Sequence, residues 1–188
     1  MNFARNNSAL SEALDDLETR AALTDQLDLR LWLRIMAVHK LVTNEARRRL
    51  RASFNMSLSR FDLMAQLDST KIGLRMGEIS NRLMVTTGNI TGLTDELEAV
   101  GLVERSADPH SRRASLVRLT PKGRKAFRAA AKANAAWIAE FFSVLSTKDK
   151  KMMFEVFGEQ KAFLLTRVQH QRGSRESARS MPGKQATK

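Results

Sequence analysis

Two groups of residues in this chain have types and spacing suited to contact with a polyanion. The first is Thr86, Thr87, Gly88, Asn89, Thr91, Gly92 and Asp95. The second is the adjacent pair Arg112 and Arg113. Hydroxyls and an amide can exchange hydrogen bonds with phosphate oxygens and base edges. Glycines leave room for a close backbone approach. Arginine inserted into a narrow minor groove reads both its width and its negative potential. Bond-making chemistry has no comparable support. No motif supplies a nucleophile–base pair, a metal-ligand set or a phosphate loop, so no enzyme is expected. The absence of cysteine excludes disulfides and thiol-based redox sensing. His39, His110 and His170 lie far apart with no ligand-like spacing, so neither metal nor cofactor is expected.

The surrounding pattern defines the elements that must position these residues. Ile79 and Leu83 recur at helical spacing, and Val85-Thr86-Thr87 breaks the pattern. A second helix follows over 86–100. At about 100° per residue, Ile90, Leu93, Leu97 and Val100 fall on one side. Gly88, Thr91, Gly92, Asp95 and Ala99 fall on the other. Thr86 is the expected N-cap, and Val85 with Ile90 has the spacing of a hydrophobic staple. Gly101 stops the helix. Two strand-like runs come next, Leu102-Val103-Glu104-Arg105 and Leu116-Val117-Arg118-Leu119. Between them runs a basic turn from Ala107 to Ala114, marked by Pro109. Helix, tight turn, helix and basic hairpin is the plan of a winged helix-turn-helix. A solvated surface helix also carries small polar residues, and a solvated loop also carries arginines. The order of the parts favours DNA.

Composition agrees. Apolar residues make up 43% of the 188, enough for one core, in one domain or one protomer of an intertwined dimer. A net charge of +12 calls for a polyanionic partner. A membrane surface is the competing polyanion, but no apolar run reaches the ~18 residues of a transmembrane helix. The first residues lack the apolar core of a signal peptide, so a cytoplasmic protein is expected.

With these residues in view, the sequence resembles the MarR family of bacterial transcription regulators. The resemblance is carried by the helix over 86–100, the run Gly101-Leu102-Val103-Glu104-Arg105, and the tip Asp108-Pro109-His110-Ser111-Arg112-Arg113-Ala114. The join Val117-Arg118-Leu119-Thr120-Pro121-Lys122-Gly123 completes it. It covers roughly residues 29–168. It implies a mainly α fold with a small β-hairpin wing, and long N- and C-terminal dimerisation helices. It also implies a homodimeric, ligand-responsive repressor on double-stranded DNA. Family members often respond to aromatic acids, phenols or their CoA thioesters. The first core helix of the family lines the effector cavity, which makes Trp32, Met36 and His39, with Met64, candidate lining residues. Plain core packing is the competing reading of these side chains. There is one departure. The family usually has Asp directly before its arginine pair, where this chain has Ser111. Asp95 or Asp108 is then the candidate to hold an arginine.

In chain order, residues 1–27 form an extension with a short helix over 8–27 that repeats Leu10, Leu14 and Leu17. The MarR-type domain spans 28–168. Its winged helix-turn-helix covers about 57–120, between dimerisation helices at 28–54 and 121–168. The first of these carries a wide apolar surface, expected to be buried on more than one side. It ends on the cluster Arg47, Arg48, Arg49 and Arg51, suited to a helix C-terminus or to a phosphate. Ser59 and Asp62 have near-capping-box spacing for a helix over 57–69. Ile72 or Leu74 is expected to add a strand to the wing. Thr120-Pro121 starts a helix running to about Leu145, and Ser146 with Asp149 starts the last one. Residues 169–188 are expected to be a disordered basic tail. Two function classes follow: a sequence-specific regulator, and an architectural DNA-binding protein without an effector.

Overall fold

The computed structural model describes residues 26–109 and 111–179, with the backbone alone at 111–114 and 168–179. The expected helix over 8–27 lies almost wholly outside the described residues. The chain divides into two units, Met1–Phe141 and Phe142–Lys188.

In the first unit, α1 (Leu27–Phe54) leads to α2 (Leu58–Asp68), a two-residue strand β1 (Leu74–Arg75), α3 (Met76–Leu83) and α4 (Thr87–Ala99). The strands β2 (Val103–Asp108) and β3 (Ser111–Leu119) form the hairpin, and α5 (Pro121–Phe141) closes the unit. The sheet is antiparallel in the order β1-β3-β2. Leu74 pairs with Val117, so the third strand starts at Leu74, while Ile72 stays outside the sheet and exposed. One core lies beneath the sheet. Leu63, Met64 and Leu67 of α2 meet Ile79 of α3, Ile90 and Leu97 of α4, Val103 and Val117 of the sheet, and Phe127 of α5. Burying each such side chain is worth about 1.5–3 kcal/mol.

Several local expectations change. The cap of α2 is Ser57, whose Oγ accepts from Arg60 N at 3.2 Å. Ser59 sits inside the helix instead, because the chain turns after the left-handed Asn55 and places Ser57 at the extended position a cap needs. The buried stripe of α4 is Ile90, Thr94 and Leu97, with Leu93 half-buried against the core as expected. Thr94 is fully buried, its hydroxyl donating to the Ile90 carbonyl at 2.7 Å. Val100 is at the C-cap and exposed, because the helix ends before completing that turn. Among the described residues of α1 only Ala46 and Leu50 are buried. The wide apolar surface toward its N-terminus is therefore not covered within the protomer as described, and Leu31 and Trp32 are more than half exposed.

The second unit carries α6 (Thr147–Arg179). Its start is a reciprocal cap: Ser146 Oγ accepts from Asp149 N at 3.2 Å and donates to Asp149 Oδ2 at 2.5 Å. The helix continues past Val168 to Arg179, which corrects the expectation of disorder from residue 169. Low apolar content argued for disorder. However, no proline interrupts the stretch before Pro182. Residues 180–188 lie outside the described residues. No helix among the described residues is long and apolar enough to cross a membrane.

Candidate DNA-binding interface

The turn between α3 and α4 is built from hydroxyls. Met84 takes a left-handed conformation (φ 56°) at the end of α3, and Val85 N donates to Ser80 O at 3.1 Å. Ser80 Oγ donates to the Val85 carbonyl at 2.6 Å, and Thr87 Oγ1 reaches Ser80 Oγ at 3.5 Å. Thr86 accepts from Asn89 N through its side chain at 3.4 Å, the expected cap. Thr86 and Thr87 thus use their hydroxyls to hold the turn, and this aims the first turn of α4 outward. Thr91 donates to Thr87 O at 3.0 Å, which leaves its oxygen lone pairs facing solvent.

The outer face of α4 is open. Thr86, Thr87, Gly88, Asn89, Thr91, Gly92 and Asp95 are all exposed. A Cβ added at Gly88 or Gly92 meets nothing within 4 Å. Neither glycine serves internal packing. Replacing either by alanine is expected to stabilise the fold by about 0.5–1 kcal/mol, the usual gain inside a helix. If the open face admits a duplex, the same substitutions weaken operator binding. Denaturation and binding measured on the same two variants check this, and a loss of stability would show that the glycines do pack.

The wing is braced to this helix at its base. Arg105 of β2 pairs with Asp95 and with Glu98 of α4, and Arg105 N also donates to Glu98 Oε1 at 3.2 Å. The Arg105 guanidinium is pushed above its ordinary value, first by the hydrogen bond to Asp95. Asp95 therefore holds an arginine, but the one at the base of the wing. Asp108, at the far end of β2, is buried and accepts from Arg75 Nε at 2.5 Å. Sequence reasoning left both arginines out of the site. An acidic residue one helical turn from another, followed by a strand arginine, was the available signal for Arg105. Arg112 and Arg113 fall on β3 just past the turn, on a strand longer than the sequence suggested.

The effector candidates separate. Trp32, Met36 and His39 share one line of α1 at helical spacing, with Trp32 and His39 exposed. Met64 is sealed in the core beneath the sheet, where its packing accounts for it. The basic cluster is tied into the protomer. Arg47 donates to Asn44, Arg48 and Arg49 to Glu45, and Arg49 also to Glu140 of α5 at 2.6 Å. Arg49 lies over the rings of Trp137 and Phe141. The hydrogen bond from Arg48 leads in lowering the Glu45 carboxyl to about 2. Within the cluster, Arg49 thus fastens α1 to α5, while the bonds of Arg47 and Arg48 stay within α1. Among the described residues no group of three or more His, Asp or Glu side chains is placed to hold a metal.

Comparison with known proteins bears on this geometry. The family model of a winged helix DNA-binding domain matches residues 59–137. A MarR family transcriptional regulator from Silicibacter pomeroyi is 33% identical, with 76% of this chain and 96% of that chain covered at a TM-score of 0.62. This chain belongs to the MarR family. Two more distant members share the fold, each at 21% identity. Sco3205 from Streptomyces coelicolor, solved in complex with DNA, has 70% of this chain and 83% of its own covered at a TM-score of 0.64. CouR from Rhodococcus jostii RHA1, solved bound to p-coumaroyl-CoA, has 72% and 91% covered at 0.61. The curated relatives that the chain matches are HTH-type transcriptional regulators, and the chain spans about half the length of the first of them. In MarR terms, α2 to β3 is the winged helix-turn-helix, α4 its recognition helix, and α1, α5 and α6 the long helices outside it.

Proposed function

We propose that this MarR regulator is a repressor that binds a near-palindromic operator as a homodimer and leaves it when a small aromatic acid or its CoA thioester binds. The observation that carries the reading is the open outer face of α4, braced to a wing that bears Arg112 and Arg113. In this reading Thr86, Thr87, Gly88, Asn89, Thr91 and Gly92 meet DNA, and Asp95 acts through Arg105. The net charge of +12 supplies the electrostatic part of the affinity. The homodimer is supported by apolar side chains exposed on two helices. Trp32 of α1 is 56% exposed and Phe154 of α6 is 82% exposed, beside Phe163 and Leu164 at about half. Surfaces of this kind mark protein interfaces. For the effector, support comes from the line of Trp32, Met36 and His39 and from the thioester bound by CouR.

A twofold dimer presents its recognition helices roughly 34–36 Å apart, which sets half-sites about 10 base pairs centre to centre. Titrating a near-palindromic duplex against a scrambled one tests the reading. A specific-to-non-specific ratio of about 10³ or more is expected. A ratio near one favours an architectural protein instead. Thr91→Ala is expected to lose about 1–3 kcal/mol if Thr91 meets a base edge, with the loss depending on the base. Adding p-coumaroyl-CoA or the free acid should raise the melting temperature and release the operator. A panel of such compounds that does neither removes the effector from the proposal.

A further inference from the structure

We propose that Arg75 and Asp108 are the positioning pair of the wing, fixing the point from which the Arg112–Arg113 segment departs. The inference rests on the DNA-binding reading above and adds the residues that aim the wing. Asp108 ends β2, and its side chain is 2% exposed, whereas that of Arg75 is 48% exposed. Arg75 ends β1 and is the N-cap of α3, where Glu78 Oε2 accepts from Arg75 N at 2.7 Å. The pair therefore joins the tip end of the wing to the first helix of the helix-turn-helix, across a sequence separation of 33.

The register shows why this point matters. From Val103–Leu119 to Ala107–Ser115 the hairpin pairs residue for residue. Asp108 then pairs with Ser111, and Arg112, Arg113 and Ala114 fall between the two registered pairs. An irregularity of this kind releases local backbone from the ladder and re-aims it. Its orientation is then set by whatever holds its ends. One end is the regular ladder at Ser115. The other is Ser111, opposite Asp108, and Asp108 is held by Arg75. The hydrogen bond to Asp108 pushes the Arg75 guanidinium above its ordinary value. Together with the Arg105 bridge, this braces the wing against α3 at one end and against α4 at the other.

The test is a binding cycle on a duplex that carries the operator. Asp108→Asn keeps the shape of the side chain and removes its charge. It should weaken wild-type binding by about tenfold, within the range of coupling seen between residues of one network. It should also make the log–log salt dependence shallower, by about 0.9 for each phosphate contact the wing supplies. In an Arg112→Ala/Arg113→Ala background the same change should cost almost nothing, because nothing remains to be aimed. A merely structural role would cost the same in both backgrounds and leave the slope unchanged, and that result overturns the inference. Arg75→Gln approaches the pair from its exposed side and should reproduce the cycle should Asp108→Asn fail to fold, while Arg75→Lys should recover part of the loss. Specific binding by the wild type without any coupling overturns the positioning pair alone. No specific binding by the wild type overturns the DNA reading and this inference with it.

Discussion

Gly123→Ala is expected to cost about 3 kcal/mol or more of folding stability, the upper end of overpacking. A Cβ at this position would lie 1.8 Å from the Leu102 carbonyl oxygen and 2.8 Å from its carbon. Both are backbone atoms, so no rotamer change relieves the contact. Nor is the carbonyl free to swing away. It accepts from Thr120 N at 3.1 Å and lies 3.3 Å from Thr120 Oγ1. Thr120 in turn caps α5 by accepting from Gly123 N at 2.9 Å. The added methyl therefore has to part α5 from the start of β2 or break the cap. With net stabilities of about 5–15 kcal/mol, such a loss takes a large share of the whole. Denaturant titration should register it as a lower midpoint at an unchanged slope. A variant within about 1 kcal/mol of the wild type would mean that the join is looser than the geometry states.

Arg105→Ala is expected to damage DNA binding more than folding. The Arg105 side chain is 28% exposed, and its partners Asp95 and Glu98 are 58% and 38% exposed. Carboxylates that open to water can be solvated once the arginine is gone, so the fold should lose only about 1–2 kcal/mol. The binding surface fares worse. Two uncompensated negative charges would then stand on the recognition helix, and the wing would lose its base contact. Operator affinity should fall by at least about tenfold, consistent with like charges costing several kcal/mol across an interface. Part of that loss is repulsion and should shrink at higher salt through screening. Adding Asp95→Asn to Arg105→Ala separates the causes. Recovery of affinity assigns the effect to charge, and no recovery assigns it to bracing. Unchanged binding by Arg105→Ala would remove the bridge from the site.

The elements were legible where a short stretch decides them. The cap at Thr86, the stop at Gly101 (φ 70°) and the turn into α5 at Thr120-Pro121 depend on neighbours within a few residues. The outward face of α4 followed from periodicity alone. Thr94 broke the pattern because its hydroxyl satisfies itself within the helix and can therefore be buried. The bracing was legible only from its acidic side: Asp95 and Asp108 were candidates to hold an arginine, but which arginine each one meets was not. Arg105 finds Asp95 across a helix-to-strand turn, and Arg75 finds Asp108 only after the sheet has formed. Pairings of that kind depend on register, which composition and spacing do not carry. The spacing pointed to Ser59 with Asp62, whereas the cap is Ser57, which the chain direction after Asn55 puts at the extended position.

Arg49 clamps the C-terminal half of α1 to α5, through Glu140 and the rings of Trp137 and Phe141, while Leu29, Leu31 and Trp32 stand outside the protomer's core. One continuous helix is thus answerable to two different constraints along its length. Substitutions near Ala46 and Leu50 are judged by the chain's own folding. Those near Trp32 are judged by whatever covers that surface. The two ends are consequently free to diverge at different rates. The half that faces outward can be rebuilt for a new companion without renegotiating the interior that holds the reading unit together.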